Sequence, residues 1–198
     1  MSTVVTTGAV VTLLCAAISF PASALARGFC NIDHVGDEEQ QQLVVEAASA
    51  FYEGGEHLMA MLRAFESSDL DGVQTEAEAA AVFFDTSADT YLKAANAFES
   101  EDVLTDIDPS QILVMAGRQN ADALTTVTGL AEMSTYAVLE RCALGAGALR
   151  EVSMAFPEVV EEDPKTSHFS ELLNKFTDAL SFGTVVSATF ANAGGETE

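Results

Sequence analysis

The stretch VVEAASAFYEGGEHLMAMLRAF, residues 44–65, decides the fold class of this chain. Apolar or small residues recur along it at alternating spacings of four and three residues. Positions with this spacing lie on one face of an α-helix. Most glutamates of the stretch fall outside that face. The pattern therefore predicts an amphipathic helix over 37–66, with a buried face of Val44, Ala48, Phe51, Gly55, Leu58, Leu62 and Phe65.

Similar helical patterns cover most of the chain that follows. Turn residues interrupt them at SSDLDG, residues 67–72, and at the segment 157–164, which two prolines bound. No sustained alternation of apolar and polar residues predicts a strand. Connections of about six to nine residues favour antiparallel neighbours. The sequence therefore predicts an all-α fold, an antiparallel up-down bundle of four long helices, the last three covering 73–99, 109–156 and 166–192.

The pair Cys30 and Cys142 tests that topology. An even pair of cysteines in an exported chain predicts a disulfide. An unbroken helix from Pro109 would carry Cys142 about 50 Å from its start. The residues between Cys30 and the first helix reach at most about 24 Å. An intrachain bond therefore requires the third helix to break, with the weak helix formers at 125–129 as the expected place, and the bundle then has five helices. Pairing between chains and reduced thiols are the alternatives.

The first 26 residues have the character of an export signal. They contain no charged side chain, and the apolar run VVTLLCAAI, residues 10–18, is too short to span a bilayer comfortably. Ala24-Leu25-Ala26 places small residues where a signal peptidase needs them, which predicts cleavage after Ala26. The segment lacks the Lys or Arg that usually precedes such a run. We expect a signal peptide over 1–26 and a single helical-bundle domain over 27–198, exported to a periplasmic or extracellular location.

The composition is strongly acidic. The 198 residues contain 31 Asp and Glu against eight Lys and Arg, a formal net charge of −23. This charge opposes binding to nucleic acid and to anionic lipid, because both depend on Lys and Arg. An apolar fraction of 48% argues against disorder. The acidity has three interpretations: solubility, adaptation to high salt in a chain with only three lysines, and a cation-binding surface.

One segment resembles a calcium loop. Residues 67–78, SSDLDGVQTEAE, match most of the pattern D-x-[DN]-x-[DN]-G-x5-E. Asp69, Asp71 and Glu78 would supply the hard carboxylate oxygens that calcium prefers. Ser67 stands where the pattern has its first Asp, so that one charged ligand is replaced by a weak one. The alternative is an ordinary turn between helices, in which Asp71 caps the second helix.

Softer metal ligands also occur on the first predicted helix. His57, Met59 and Met61 form H-x-M-x-M, and imidazole with thioethers suits copper. Residues two apart on a helix point in nearly opposite directions, so the three cannot converge. We expect a solvent-facing Glu53–His57 pair with methionines in the core. A haem held by one of these methionines and His168 is a further alternative.

No catalytic constellation appears in the sequence. It has no paired Glu-x-x-His repeats, G-x-S-x-G, H-E-x-x-H or phosphate-binding glycine loop. We therefore expect a non-enzymatic, exported binding module without a cofactor, which binds an unidentified protein or small ligand. A basic partner is one option. The acidic segments 99–108 and 158–163 are candidate contacts for such a partner. A calcium-binding module and a haem or metal redox bundle are the alternatives.

Overall fold

A computed structural model describes three α-helices and no strand in residues 29–30, 32, 36–98, 133–161 and 174. The helices are α1 (Glu38–Glu66), α2 (Leu70–Ala97) and α3 (Thr135–Glu161). The predicted all-α fold is confirmed for these residues. The predicted signal peptide lies outside them, and so does the predicted helix 166–192 apart from Asn174, which is helical. No described helix has the length and apolar character needed to cross a membrane.

Helix α1 begins at a capping box. The Asp37 carboxylate accepts a hydrogen bond of 2.9 Å from the Gln40 backbone N–H, and the Gln40 side chain accepts one of 2.8 Å from the Asp37 N–H. Each bond satisfies a donor that the helix itself cannot pair. Glu38 and Glu39 in the first turn and Arg63 in the last favour the helix dipole. The predicted helix over 37–66 is therefore confirmed to within one residue.

The turn between α1 and α2 is shorter than the sequence predicted. Ser68 has a left-handed φ of 62°, and α2 begins at Leu70 rather than at residue 73. The cap is Asp69, whose carboxylate accepts a hydrogen bond of 2.9 Å from the Gly72 N–H. A Cβ at position 72 would lie 2.4 Å from Asp69 Oδ2, so the glycine allows this close approach. The prediction of Asp71 as the cap is wrong, because the tight turn at Ser68 brings Asp69 to the helix start.

The two helices of this hairpin pack through aromatic rings. Phe51 of α1 and Phe84 of α2 are fully buried and meet edge to face, with ring centroids 5.2 Å apart. A Cβ on Gly54 would lie 2.9 Å from the Phe84 ring, so glycine lets the helices approach closely there. Of the predicted buried face, Leu62 and Phe65 are only partly buried, whereas the other five positions are buried.

Helix α3 packs against α2 and runs antiparallel to it. Near its start Cys142 is bonded to Cys30, which precedes α1. Near its end Phe156 meets Phe65, which lies in the last turn of α1, at a centroid distance of 5.6 Å. The direction of α3 therefore matches that of α1. Helix α2 packs against both of them.

The third predicted helix is wrong at both ends. Met133 and Ser134 are not helical and α3 begins at Thr135, so one helix over 109–156 does not form. The break satisfies the distance requirement of the disulfide; residues 109–132, which include the predicted break, lie outside the described part of the chain. At the other end α3 continues through Pro157 to Glu161. Burial of Phe156 one residue earlier offsets the backbone hydrogen bond that proline removes.

Candidate binding surface

The two predicted disulfide residues are joined within one chain. Cys30 and Cys142 form a bond with a Cα–Cα distance of 6.1 Å, and both are fully buried. The bond closes a sequence separation of 112 residues and attaches the segment before α1 to α3.

Phe29, which precedes Cys30 in the chain, belongs to an aromatic cluster. Phe29 stacks on Phe51 of α1 with ring centroids 3.7 Å apart and meets the edge of Tyr91 of α2 at 6.2 Å. The buried Tyr91 hydroxyl donates a hydrogen bond to the Phe29 carbonyl, and burial raises the pKa of Tyr91 well above its usual value. Nothing in the local sequence indicated the role of Phe29, because its partners lie far along the chain.

The predicted calcium ligands are described, and the structure does not bring them together. Asp69 caps α2, and Glu78 lies more than two helical turns further along, where it accepts a hydrogen bond of 2.6 Å from Gln74. The Ser67 hydroxyl donates to backbone carbonyls of α1, and Asp71 lies in the first turn of α2. Among the described residues no three His, Cys, Asp or Glu side chains form a group that could hold a metal ion.

The described histidine pairs across the hairpin. His57 Nδ1 lies 2.7 Å from Glu76 Oε2 of α2, and its ring stacks on Phe83 at a centroid distance of 5.3 Å. The prediction of a pair with Glu53 on the same helix is wrong, because the neighbouring helix offers a nearer carboxylate. Met61 is buried in the core as predicted, and Met59 is only partly exposed. His168, the other half of the haem hypothesis, lies outside the described residues.

Charge is divided unequally between the hairpin and α3. Residues 37–98 contain 13 Asp and Glu against Arg63 and Lys93, a net charge of −11. Residues 133–161 contain four Glu against two Arg, a net charge of −2. Arg150 of α3 also lies 2.9 Å from Asp85 of α2 and so offsets one hairpin charge. The hairpin is therefore the strongly negative part of the described surface.

Apolar side chains are exposed within that acidic surface. On α1 they are Val45 and Tyr52, which are 45% and 41% exposed. A hydrogen bond to Glu56, followed by the charges of Glu56 and Glu53, raises the pKa of the Tyr52 hydroxyl. Apolar contacts surrounded by one sign of charge are typical of a surface that binds a partner of the opposite charge.

No protein-family model, curated protein or solved structure matches this chain.

Proposed function

We propose that this protein is an exported, non-enzymatic binding module, and that the acidic α1–α2 hairpin binds a basic partner. The observation that supports this most is the unequal charge, −11 over 37–98 against −2 over 133–161. If the acidity served only solubility or adaptation to high salt, we would expect it on every exposed face. Among the described helices the acidity lies mainly on the hairpin, where it would steer a cationic partner toward that face and raise the association rate.

Export is part of the proposal. The uncharged segment 1–26 ends in Ala-Leu-Ala, and removal after Ala26 would leave Cys30 as the fourth residue of the mature chain. The intrachain bond to Cys142 supports an oxidising destination, periplasmic or extracellular.

A bundle of at least four helices is the architecture that we propose for the whole mature chain. Three helices are described, and the pattern over 166–192 supplies a further amphipathic segment with Phe169, Leu172, Leu173, Phe176 and Leu180 on one face. If 109–132 forms its own helix before α3, the bundle has five.

Site-specific photocrosslinking in the exported fraction tests the function. A photoreactive residue would replace Ser49 on the exposed face of α1, and a matched one would replace Leu144 on the exposed face of α3. We expect a discrete adduct from position 49 that high salt abolishes, and none from position 144. Adducts of equal yield at both positions, or none at either, would contradict the proposal.

A further inference from the structure

The outward face of α1 repeats every seven residues. Val45, Tyr52 and Met59 occupy successive heptad positions, and seven residues advance about 10.5 Å along a helix while returning nearly to the same face. Val45 and Tyr52 are exposed and Met59 is partly exposed, so the row is accessible. The buried face of α1 begins directly beside this row, at Ala48 and Gly55, which follow Val45 and Tyr52 by three residues. The row is therefore the exposed edge of the apolar face of α1.

A row of carboxylates runs beside this outward row. Glu39, Glu46 and Glu53 are also seven residues apart, and each is exposed. Glu56 follows Tyr52 by one turn, interacts with its hydroxyl and lies on the same side of the row as Glu53. The row therefore has the buried face on one side and carboxylates on the other, which favours a partner helix with basic residues along one edge of its apolar face.

We infer that this exposed edge of α1, with Val45, Tyr52 and Met59 beside the buried face and Glu39, Glu46 and Glu53 on the solvent side, docks a basic amphipathic helix of a partner protein. The inference rests on the proposed function and names its surface and its class of partner. The apolar row spans about 21 Å, which matches two heptads of a partner helix. Lysine or arginine beside the partner's apolar row would face the glutamates.

The other exposed apolar residues lack this combination. On α2 Val82 is 64% exposed, but the residue seven positions further, Asp89, is an acid rather than a second apolar contact. On α3 the residue seven positions after Leu144 is Glu151, and the residue seven positions before Met154 is Gly147, so neither apolar residue repeats at the heptad spacing. The α3 range is also close to neutral, so it gives a cationic partner no electrostatic preference.

Tryptophan fluorescence of a synthetic peptide tests the inference, because the protein itself contains no tryptophan. The probe is a peptide of about 21 residues with leucine at the a and d positions, lysine at the flanking positions and one tryptophan. The oxidised exported protein is titrated into it. We expect saturable binding whose affinity falls about tenfold or more when NaCl is raised from about 50 to about 300 mM. A peptide with glutamate in place of lysine should not bind.

Matched variants separate docking from diffuse attraction. Val45→Ser with Tyr52→Ser should weaken binding about tenfold or more, whereas Val82→Ser should change it less than about twofold. Glu46→Gln with Glu53→Gln should weaken binding about three- to tenfold. Glu78→Gln with Asp89→Asn removes the same charge from α2 and should change it less than about twofold. All of these positions are exposed, and unchanged circular dichroism melts would confirm that the variants fold.

Two results would overturn the inference. Equal weakening by the α1 and α2 charge variants, or equal binding of a short polyamine that has no apolar face, would show diffuse electrostatics. Absence of any peptide binding would show that α1 does not accept a basic helix. If position 49 still crosslinks a discrete partner in that case, the inferred partner class is wrong and the binding-module proposal stands. If neither experiment detects binding, the inferred partner class and the binding-module proposal are both wrong.

Discussion

The α1–α2 hairpin and helix α3 differ in their net charge and in the contacts that hold them in the fold. Both have a buried apolar face, and α2 packs against both of its neighbours. The hairpin helices approach closely over Gly54 and carry a net charge of −11, whereas α3 is held by a covalent bond at Cys142 and carries −2. A strongly charged surface repels itself, so the hairpin depends on a dense aromatic core. This contrast is the reason for proposing that the hairpin, rather than α3, carries the binding surface.

Removing the disulfide should have the largest effect on this contrast. Cys30→Ser with Cys142→Ser should lower the free energy of unfolding by about 2–5 kcal/mol, because the bond restricts a long loop in the unfolded chain. Urea denaturation measures the loss, and the reduced wild type should match the double variant. In hydrogen exchange, α3 should lose more protection than α1 and α2. Equal loss in all three helices would show that the hairpin is not the more independent unit.

Tyr91→Phe should have the next largest effect. It removes the hydroxyl that donates to the Phe29 carbonyl, and an unpaired buried carbonyl costs about 1–3 kcal/mol. Urea denaturation at neutral pH measures the change. Tyr52→Phe is the control, since that ring is exposed, and it should change stability by less than about 0.5 kcal/mol.

The same tyrosine predicts an alkaline transition. Its folded pKa is raised by burial, whereas the unfolded chain ionises it near pH 10, as is usual for tyrosine. The unfolded state then releases the proton first, so its stabilising contribution is complete below about pH 10 and is lost as the pH rises toward the folded pKa. Stability of the wild type should fall above about pH 10 more steeply than that of Tyr91→Phe. Parallel curves would contradict this reading of the Tyr91 environment.

A smaller effect separates the two aspartates of the turn. Asp69→Ala should lower the free energy of unfolding by about 1 kcal/mol, because it removes the cap of α2. Asp71→Ala should lower it by only about 0.3 kcal/mol, through the helix dipole. Thermal melts of the two variants provide the comparison. A larger loss at Asp71 would favour the start of α2 that the sequence predicted.

The sequence predicted the α1–α2 hairpin more accurately than α3. Within the hairpin, it predicted α1 more accurately than the turn and the start of α2. The heptad of α1 and the start of the helix near Asp37 follow from local sequence. The start of α2 depended on a choice between Asp69 and Asp71, which the left-handed Ser68 decides. For α3 the proline at 157 indicated an end, but tertiary packing of Phe156 carries the helix past it.

The candidate sites show the same division between local and long-range information. For Cys30 and Cys142 the sequence left three outcomes open, an intrachain bond, pairing between chains and reduced thiols, and the structure shows the intrachain bond. That bond required a break in the third helix, and Met133 and Ser134 are not helical. The partner of His57 was not, because the nearest carboxylate belongs to Glu76 on another helix. The seven-residue spacing of Val45 and Tyr52 can be read from the sequence, but only the structure shows that both side chains are exposed.

The smallest expected effect concerns calcium. Since Asp69 is used as a cap and Glu78 lies well along α2, calcium and magnesium should raise the melting temperature alike, through diffuse screening of the negative charge. Glu78→Gln should behave as the wild type does. A gain specific to calcium that this variant abolishes would instead support the calcium loop at 67–78.

The central claim is that the hairpin, rather than α3, binds a basic partner, and methyl NMR tests it most directly. The chain supplies matched reporters: Val45 on α1 and Met154 on α3 are 45% and 47% exposed. On titration with the lysine-rich amphipathic peptide, the account predicts that the Val45 and Met59 methyl signals shift and saturate together, while those of Leu144 and Met154 stay in place. Shifts confined to the α3 methyls, or of equal size on both helices, would contradict it.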